Sequence, residues 1–336
     1  MIINTSSRTD TVQYYSDWLL KRFEEGFVYS RNSMFQNKVS VEIINLLFKL
    51  FIRKILSLSV TYVQILPISS NSRKEIMEAL KEIIEGLKDI LIENKWFTKK
   101  QDLNKIWTKD IDKCINECTS PEKDKLFNAF EGLKPQDVKV LIIGQDPYPT
   151  KGRADGLAFS FGNNEKAQDS LKNIFERLEE LGIENKNTKL TKWKGNGILL
   201  LNSALTFKYY SNKSEQEKSR KKHLEAWEPF VEHIIAQLID NRKNDNPIVV
   251  MLWGKNANLM KQFTFDNKDE ELLKNNVYII RNSHPSNLGG AKNYCGNYAN
   301  PNIWVNAFMC KCSNPFKKCN NFFKLKGLSE IDWSTD

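Results

Sequence analysis

DVKVLIIG, residues 137–144, contains a continuous apolar run that ends at a glycine and leads directly into Gln145 and Asp146. Three further runs of this kind follow along the chain: GILLLN (197–202), PIVVMLWG (247–254) and NVYIIRNS (276–283). Apolar residues that are continuous rather than alternating are typical of strands covered by helices on both faces. The runs therefore predict four strands of a mostly parallel sheet.

Amphipathic segments separate these predicted strands. Residues from Ser170 to Leu181 and from Lys221 to Ile239 place apolar side chains on one face at helical spacing. The alternation predicts an α/β fold, a doubly wound sandwich whose central, mostly parallel four-stranded sheet is flanked by helices. Ligands of such folds bind beyond the carboxyl ends of the strands. The residues at the ends of the runs are therefore candidate site residues: Gln145, Asp146, Pro147 and Tyr148, then Asn202, then His284 and Ser286.

The charge of the chain favours a polyanionic partner. Its 336 residues carry 50 Lys and Arg against 41 Asp and Glu, a formal net charge of +9, and 40% of them are hydrophobic, enough for a sizeable core. Residues 1–95 contribute 13 basic and 11 acidic side chains, so most of the excess lies further along the chain. Nucleic acid is thus one expected partner, although solvated lysines alone give the same balance.

The six cysteines are too few to make a disulfide scaffold in a chain of this length. Cys114 and Cys118 lie one helical turn apart and three others cluster near the C-terminus, so a metal site is an alternative. The chain has no Cys-x-x-Cys pair, which favours reduced thiols and no metal. With no signal peptide or membrane span expected, we predict a cytoplasmic protein.

The sequence predicts that the N-terminal part is a separate extension. Residues 73–94 repeat apolar positions at helical spacing, and PISSNS (67–72) has the composition of a linker. We place a domain boundary near residue 95. The predicted domains are a mainly helical extension of unknown role (1–94) and a catalytic domain (95–336).

Four ordered motifs resemble those of family 1 uracil-DNA glycosylases, over roughly residues 95–336. They are GQDPYPTKGRADGLAFS (144–160), LLLNSALTF (199–207), VVMLWGKNA (249–257) and HPSNL (284–288). The resemblance implies a DNA-repair enzyme that flips uracil out of DNA and hydrolyses its N-glycosidic bond, leaving an abasic site. It also implies a reaction without metal or cofactor and a DNA-mimicking inhibitor protein as a further partner. We expect a monomer.

Two side chains carry the implied chemistry. Asp146 is similar to the family carboxylate that positions the attacking water and stabilises the cationic sugar. His284 resembles the neutral histidine that hydrogen-bonds to uracil O2 as negative charge develops there, assisted by the backbone N–H of Gln145. Taken singly, an Asp-Pro turn and a histidine before a proline turn explain these residues as well, so the assignment rests on the four motifs together.

Three other side chains match the residues that recognise the base. Asn202 would donate to uracil O4 and accept from N3–H, a pattern that cytosine reverses. Phe159 would stack on the base, and Tyr148 would fill the space that the methyl group of thymine needs. Each alone is also typical of a turn or a core position.

Two of the four predicted DNA contacts lie in the last motif. Leu288 resembles the apolar wedge that enters the duplex, and Ser170, Ser286 and Pro147 match positions that contact DNA. Ser170 is equally explained as a residue near a helix N-terminus. The motif departs from the usual HPSPLS by reading HPSNLG, which puts DNA affinity in doubt more than reaction type.

Two other functions stay open from the sequence. One is a glycosylase for another pyrimidine, such as a modified base of phage DNA; the other is a non-catalytic DNA-binding scaffold on the same fold. Residues 1–45 resemble the start of a bacterial family of unknown function, and this resemblance does not indicate an activity.

Overall fold

The computed structural model describes residues 70–150, 152–161, 167, 169–240, 242, 245–258, 273–286, 295–300, 303–310 and 313–335. The predicted extension therefore lies outside the described residues up to position 69, and so does Leu288. The chain divides after Pro67 into two compact units, Met1–Pro67 and Ile68–Asp336. The fold below is that of the second unit.

A six-stranded sheet in the order β2-β1-β3-β4-β6-β5 forms the centre of this unit. Its strands are β1 (Val140–Gly144), β2 (Ile198–Asn202), β3 (Ile248–Trp253), β4 (Val277–Asn282), β5 (Cys295–Asn300) and β6 (Ile303–Asn306). The first four pair in parallel, and every residue of β1, β2 and β3 is buried. The predicted α/β fold with four central parallel strands is confirmed.

The sheet is larger than the sequence predicted because a hairpin extends it. Strands β5 and β6 pair antiparallel, and β6 joins β4 in parallel through Asn282 and Asn306. CGNYAN, the sequence of β5, has no continuous apolar run, and β5 is the edge strand of the sheet. The pattern that identified the central strands therefore could not identify this one.

Helices flank the sheet. They are α1 (Ser70–Glu93), α2 (Lys100–Ile106), α3 (Lys109–Glu117), α4 (Asp169–Glu179), α5 (Thr191–Gly195), α6 (Lys213–Ile239), α7 (Lys255–Asn258) and α8 (Pro315–Leu325). Asparagine side chains cap two of them: Asn212 accepts from the first backbone N–H groups of α6, and Asn314 from those of α8. Within the described residues, no helix has both the length and the apolar character needed to cross a membrane.

Helix α1 packs into the core of the second unit. Ile84, Leu87 and Leu91 are buried in the same hydrophobic cluster as the central strands. Trp96, just after the helix, is fully buried and donates its Nε1–H to the carbonyl of Leu133 at 2.7 Å. The sequence assigned this helix to the extension before residue 95, whereas the structure divides the chain at Pro67.

Candidate active site at the carboxyl edge of the sheet

The register of the parallel strands brings the predicted site residues to one edge. Gly144 at the end of β1 pairs with Asn202 at the end of β2, and Trp253 of β3 pairs with Asn282 of β4. Asp146 lies two residues beyond β1, and His284 two residues beyond β4. Segments far apart in the sequence therefore deliver their polar groups to the same side of the sheet.

Gly144 creates the space in which two of the predicted base-recognition residues meet. A Cβ atom at this position would lie 2.5 Å from Asn202 Oδ1, 2.8 Å from Ala158 Cβ and 3.5 Å from Phe159 Cε2. The glycine thus lets the amide of Asn202 and the ring of Phe159 approach the same point. The Asn202 side chain is 8% exposed and makes no hydrogen bond to the described part of the chain, so its donor and acceptor are available to a ligand.

Phe159 is held in a backbone conformation that residues other than glycine rarely adopt. Its φ is 65°, and such strain concentrates at functional sites. The ring meets Trp253 at a centroid distance of 5.2 Å and the ring of His284 at 6.0 Å. The predicted stacking residue therefore lies beside the predicted catalytic histidine.

A buried carboxyl group that the sequence analysis missed holds this strained segment. Asp155 accepts hydrogen bonds from Ser160 Oγ at 2.5 Å and from the Leu157 N–H at 3.1 Å. Ser160 Oγ in turn accepts from the Leu190 N–H at 3.0 Å. Burial raises the pKa of Asp155 above its ordinary value. Asp155 therefore braces the turn that presents Phe159, and its only signal in the sequence was its place inside the first motif.

Tyr148 forms a side wall next to the same segment. Its hydroxyl donates to the Phe159 carbonyl at 3.4 Å, and its ring packs on Phe161 at 4.2 Å between centroids. Its own carbonyl accepts from Ser120 Oγ at 2.6 Å. The tyrosine is thus fixed by its backbone, its ring and its hydroxyl, as a residue must be if it excludes a methyl group by shape.

Asp146 is paired with an arginine that the sequence analysis did not identify. Arg220 Nε donates to Asp146 Oδ2 at 2.6 Å. Burial raises the pKa of Asp146 above its ordinary value, although the hydrogen bond and charge of Arg220 act to lower it. Asp146 Oδ1 accepts no hydrogen bond from any described residue, and neither does the backbone N–H of Gln145 donate one. An acceptor and a donor are therefore available side by side.

The tautomer of His284 follows from its hydrogen bonding. The backbone N–H of Ser286 donates to Nδ1 at 3.1 Å, so Nδ1 is the acceptor and a neutral ring carries its proton on Nε2. Burial lowers the pKa of His284, which keeps the ring neutral at pH 7. Gly254 makes room for the ring, because an added Cβ would lie 3.0 Å from the His284 Cβ and 3.2 Å from its ring atom Cδ2.

The loop that carries His284 is fixed by two distant elements. Asn173 of α4 donates from Nδ2 to the Pro285 carbonyl at 2.5 Å, and the Phe308 N–H donates to Ser283 Oγ at 2.9 Å. Asn173 is 5% exposed, so it binds this loop rather than solvent. These contacts were not predicted, since neither residue belongs to a motif.

The predicted DNA-contacting residues differ in their exposure to solvent. Ser170, in the first turn of α4, and Ser286 are both partly exposed. Pro147 is buried, which leaves it little surface for DNA, and Leu288 lies outside the described residues. Contact with DNA stays a prediction for all four.

A cluster of metal-ligand residue types lies where helices α3 and α6 pack together. The ligand atoms of Cys114, Glu117 and His223 lie within 4.8 Å of one another. Lys222 and Lys208 already pair with the Glu117 carboxylate, so a divalent cation would add positive charge to a balanced network. Burial also raises the pKa of Cys114 to about 11, which keeps the thiol protonated. The cluster is therefore better described as an ionic network than as a metal centre.

The expectation of reduced thiols holds for three cysteines and is wrong for another. Cys114, Cys118 and Cys319 are free. Cys310, in contrast, is disulfide-bonded.

Comparison with known proteins connects this geometry with one family. The model of the uracil DNA glycosylase superfamily matches residues 131–304, and a domain of unknown function (DUF1848) matches residues 2–67. The uracil-DNA glycosylase of Alkaliphilus oremlandii is 32% identical over 74% of this chain and 98% of its own length. That of Streptococcus agalactiae is 35% identical over 63% of this chain and 82% of its own.

Solved structures show the same fold. A variant of the mimivirus enzyme in complex with UGI has a TM-score of 0.55 and 26% identity, covering 71% of this chain and 85% of its own. Mimivirus uracil-DNA glycosylase has a TM-score of 0.54 and 24% identity, covering 76% of this chain and 89% of its own. Both resemblances expected from the sequence are confirmed, and the chain belongs to the uracil DNA glycosylase superfamily.

Proposed function

We propose that this chain hydrolyses the N-glycosidic bond between uracil and deoxyribose in DNA. The observation that carries the proposal is the convergence of Asp146, Asn202 and His284 at one sheet edge beside the ring of Phe159. The relatives named uracil-DNA glycosylase support the choice of substrate. The net charge of +9 suits a polyanionic strand.

Base recognition follows from the groups left available at this edge. The Asn202 amide donates from Nδ2 to uracil O4 and accepts N3–H at Oδ1, whereas cytosine presents the opposite pattern. Phe159 stacks on the base, and Tyr148 closes the side where thymine carries its methyl group. A larger C5 substituent fits this wall still less well, which disfavours modified pyrimidines as the main substrate.

Bond cleavage requires stabilisation of two opposite charges. As the bond breaks, its electron pair moves onto the base, and negative charge on O2 is met by His284 Nε2–H and the Gln145 N–H. Asp146 faces the cationic sugar and accepts a hydrogen bond from the water that attacks C1′. The water adds to C1′ and passes a proton to Asp146, the uracil anion takes up a proton from solvent, and free uracil and an abasic site result.

The test is base release from matched oligonucleotides that carry one uracil, thymine, cytosine or modified cytosine. Alkaline cleavage detects the abasic sites, and Asp146→Asn is the control. We expect release of uracil alone, reduced about 10²–10⁴-fold in the variant because the water loses its carboxylate. Binding without release of any base would favour the scaffold function, and release of the modified base alone would favour the phage-type enzyme.

An inhibitor protein that mimics DNA is part of the same proposal. Its support is the complex of the mimivirus enzyme with UGI. Inhibition of uracil release by purified UGI, at a ratio near one to one, would test it. Full activity at a large molar excess of UGI would contradict it.

A further inference from the structure

Arg220 joins the predicted catalytic carboxylate to helix α6. Its Nε donates to Asp146 Oδ2 at 2.6 Å, and its Nη1 donates to Glu217 Oε1 at 2.5 Å. The guanidinium also lies over the ring of Phe207, 5.7 Å from the centroid. Three different partners thus fix the orientation of one planar group.

The helix that carries Arg220 is itself fixed to the active-site edge. Gln216 Nε2 and Ser219 Oγ both donate to the Lys208 carbonyl, at 3.0 and 3.2 Å. Lys208 lies six residues beyond Asn202, on the segment that leaves β2. The first turns of α6 therefore hold a constant position relative to β2, and Arg220 reaches Asp146 from that position.

The second anchor of the helix lies two turns beyond Arg220. Trp227 is fully buried, and its Nε1–H donates to Thr206 Oγ1 at 2.7 Å. Since Thr206 follows the same strand, anchors on both sides of Arg220 tie α6 to the chain beyond Asn202. The ion pair is consequently set by the packing of the fold and not by two free surface side chains.

The ion pair of Asp146 and Arg220 is largely shielded from solvent. The side chains of Asp146 and Arg220 are 16% and 27% exposed. Among the described residues, the charged groups whose fields reach Asp146 are Arg220 and Glu217, both on α6: the arginine favours the carboxylate form and the glutamate opposes it. Arg220 therefore offsets part of the cost of burying a negative charge at this edge.

We propose that Arg220 is a positioning residue for the reaction: it holds Oδ2 of Asp146 so that an ionised Oδ1 stays directed at the attacking water. The inference rests on the proposed function and adds a residue outside the four sequence motifs. Arg220 acts through Asp146 and does not itself touch the reacting atoms. Its charge also keeps Asp146 deprotonated, and a protonated Asp146 no longer accepts the hydrogen bond of the water at that oxygen.

The test compares Arg220→Gln and Arg220→Lys with the wild-type chain in single-turnover excision of uracil across a range of pH. The matched control is Lys221→Gln, which removes the same charge from the next residue. Lys221 Nζ is 3.6 Å from Glu225 and its side chain is 79% exposed, so it is separate from the site.

For Arg220→Gln we expect the maximal rate to fall about 10-fold or more, with little change in KM. The acid limb of the rate profile should move to higher pH by about one unit or more, because a nearby opposite charge lowers a carboxyl pKa by that amount. Arg220→Lys should return the acid limb close to its wild-type pH but should restore the maximal rate less completely, because lysine keeps the charge without the fixed geometry. Lys221→Gln should match the wild type in both.

The outcomes separate the inference from the function on which it rests. A wild-type chain that releases no uracil overturns the proposed function. An active wild type whose Arg220→Gln variant keeps both rate and pH profile overturns the positioning role alone. Thermal unfolding of each variant distinguishes lost structure from lost positioning, because a merely structural role lowers the midpoint without moving the acid limb.

Discussion

Gly144→Ala places one methyl group where three walls of the proposed base pocket meet. The new Cβ would lie 2.5 Å from Asn202 Oδ1 and 2.8 Å from Ala158 Cβ, closer than real contacts allow. To reach ordinary van der Waals distance the amide oxygen must retreat by roughly 0.5–1 Å. The backbone of Gly144 itself lies outside the left-handed region, so alanine is conformationally acceptable there and the clash alone determines the effect.

The magnitude follows from that displacement. A misplacement of about 1 Å in a catalytic site costs up to ~10²-fold in rate, so kcat/KM for uracil release should fall about 10–100-fold. This equals ~1.4–2.7 kcal/mol of transition-state stabilisation. Overpacking against Ala158 should also lower the free energy of unfolding by about 1–3 kcal/mol.

Uracil release from an oligonucleotide and urea unfolding measure the two effects separately. Gly86→Ala is the control, because a Cβ on this exposed helical glycine meets nothing within 4 Å. It should leave activity unchanged and raise stability by about 0.5–1 kcal/mol. In an Asn202→Ala background, Gly144→Ala should cost little further activity, since the displaced amide is already absent. Wild-type kcat/KM in Gly144→Ala alone would refute the assignment of Asn202 as the base-reading residue.

Three further predictions follow from single contacts. Tyr148→Ala should release measurable thymine from DNA; retained uracil activity without thymine release would show that another residue excludes the methyl group. Asn173→Ala removes the bond to the Pro285 carbonyl, so maximal excision should fall ~10-fold and stability by about 1–3 kcal/mol, whereas an unchanged rate would exclude support of the His284 loop. His223, buried with a pKa lowered to about 4, stays neutral in the fold and gains a proton on unfolding below its ordinary value of 6.5. The wild type should therefore lose about 2 kcal/mol of stability between pH 7 and pH 5 through this group, and urea unfolding of His223→Gln should lack that loss.

The loss of activity at low pH depends on two pKa shifts of opposite direction. Burial raises the pKa of Asp146 above 3.8 and lowers that of His284 below 6.5, while the reaction needs an ionised Asp146 and a neutral His284. Activity should therefore fall with acidification between those two values. A rate profile that is flat across this window would contradict the assigned protonation states.

The central sheet and its reactive edge were predictable from the sequence. Continuous apolar runs identify strands that are buried on both faces, and parallel strands necessarily end at a common edge. Asp146, Asn202 and His284 could be assigned to that edge because each follows such a run. The hairpin of β5 and β6 was not predicted because CGNYAN has no continuous apolar run and β6 is only four residues long.

The sequence by itself determined the fold class, the family and the residues that end the strands. Only the tertiary structure decided how those residues are held: Arg220 on Asp146, Asp155 behind Phe159, and the Ser286 N–H on His284 Nδ1. The physical reason is that apolar burial repeats along the chain with the period of a helix or strand. A polar contact between distant segments leaves no periodic pattern in the sequence. The sequence around Arg220 therefore looks like that of any solvent-exposed basic residue, and only the packing of α6 against the sheet reveals its partner.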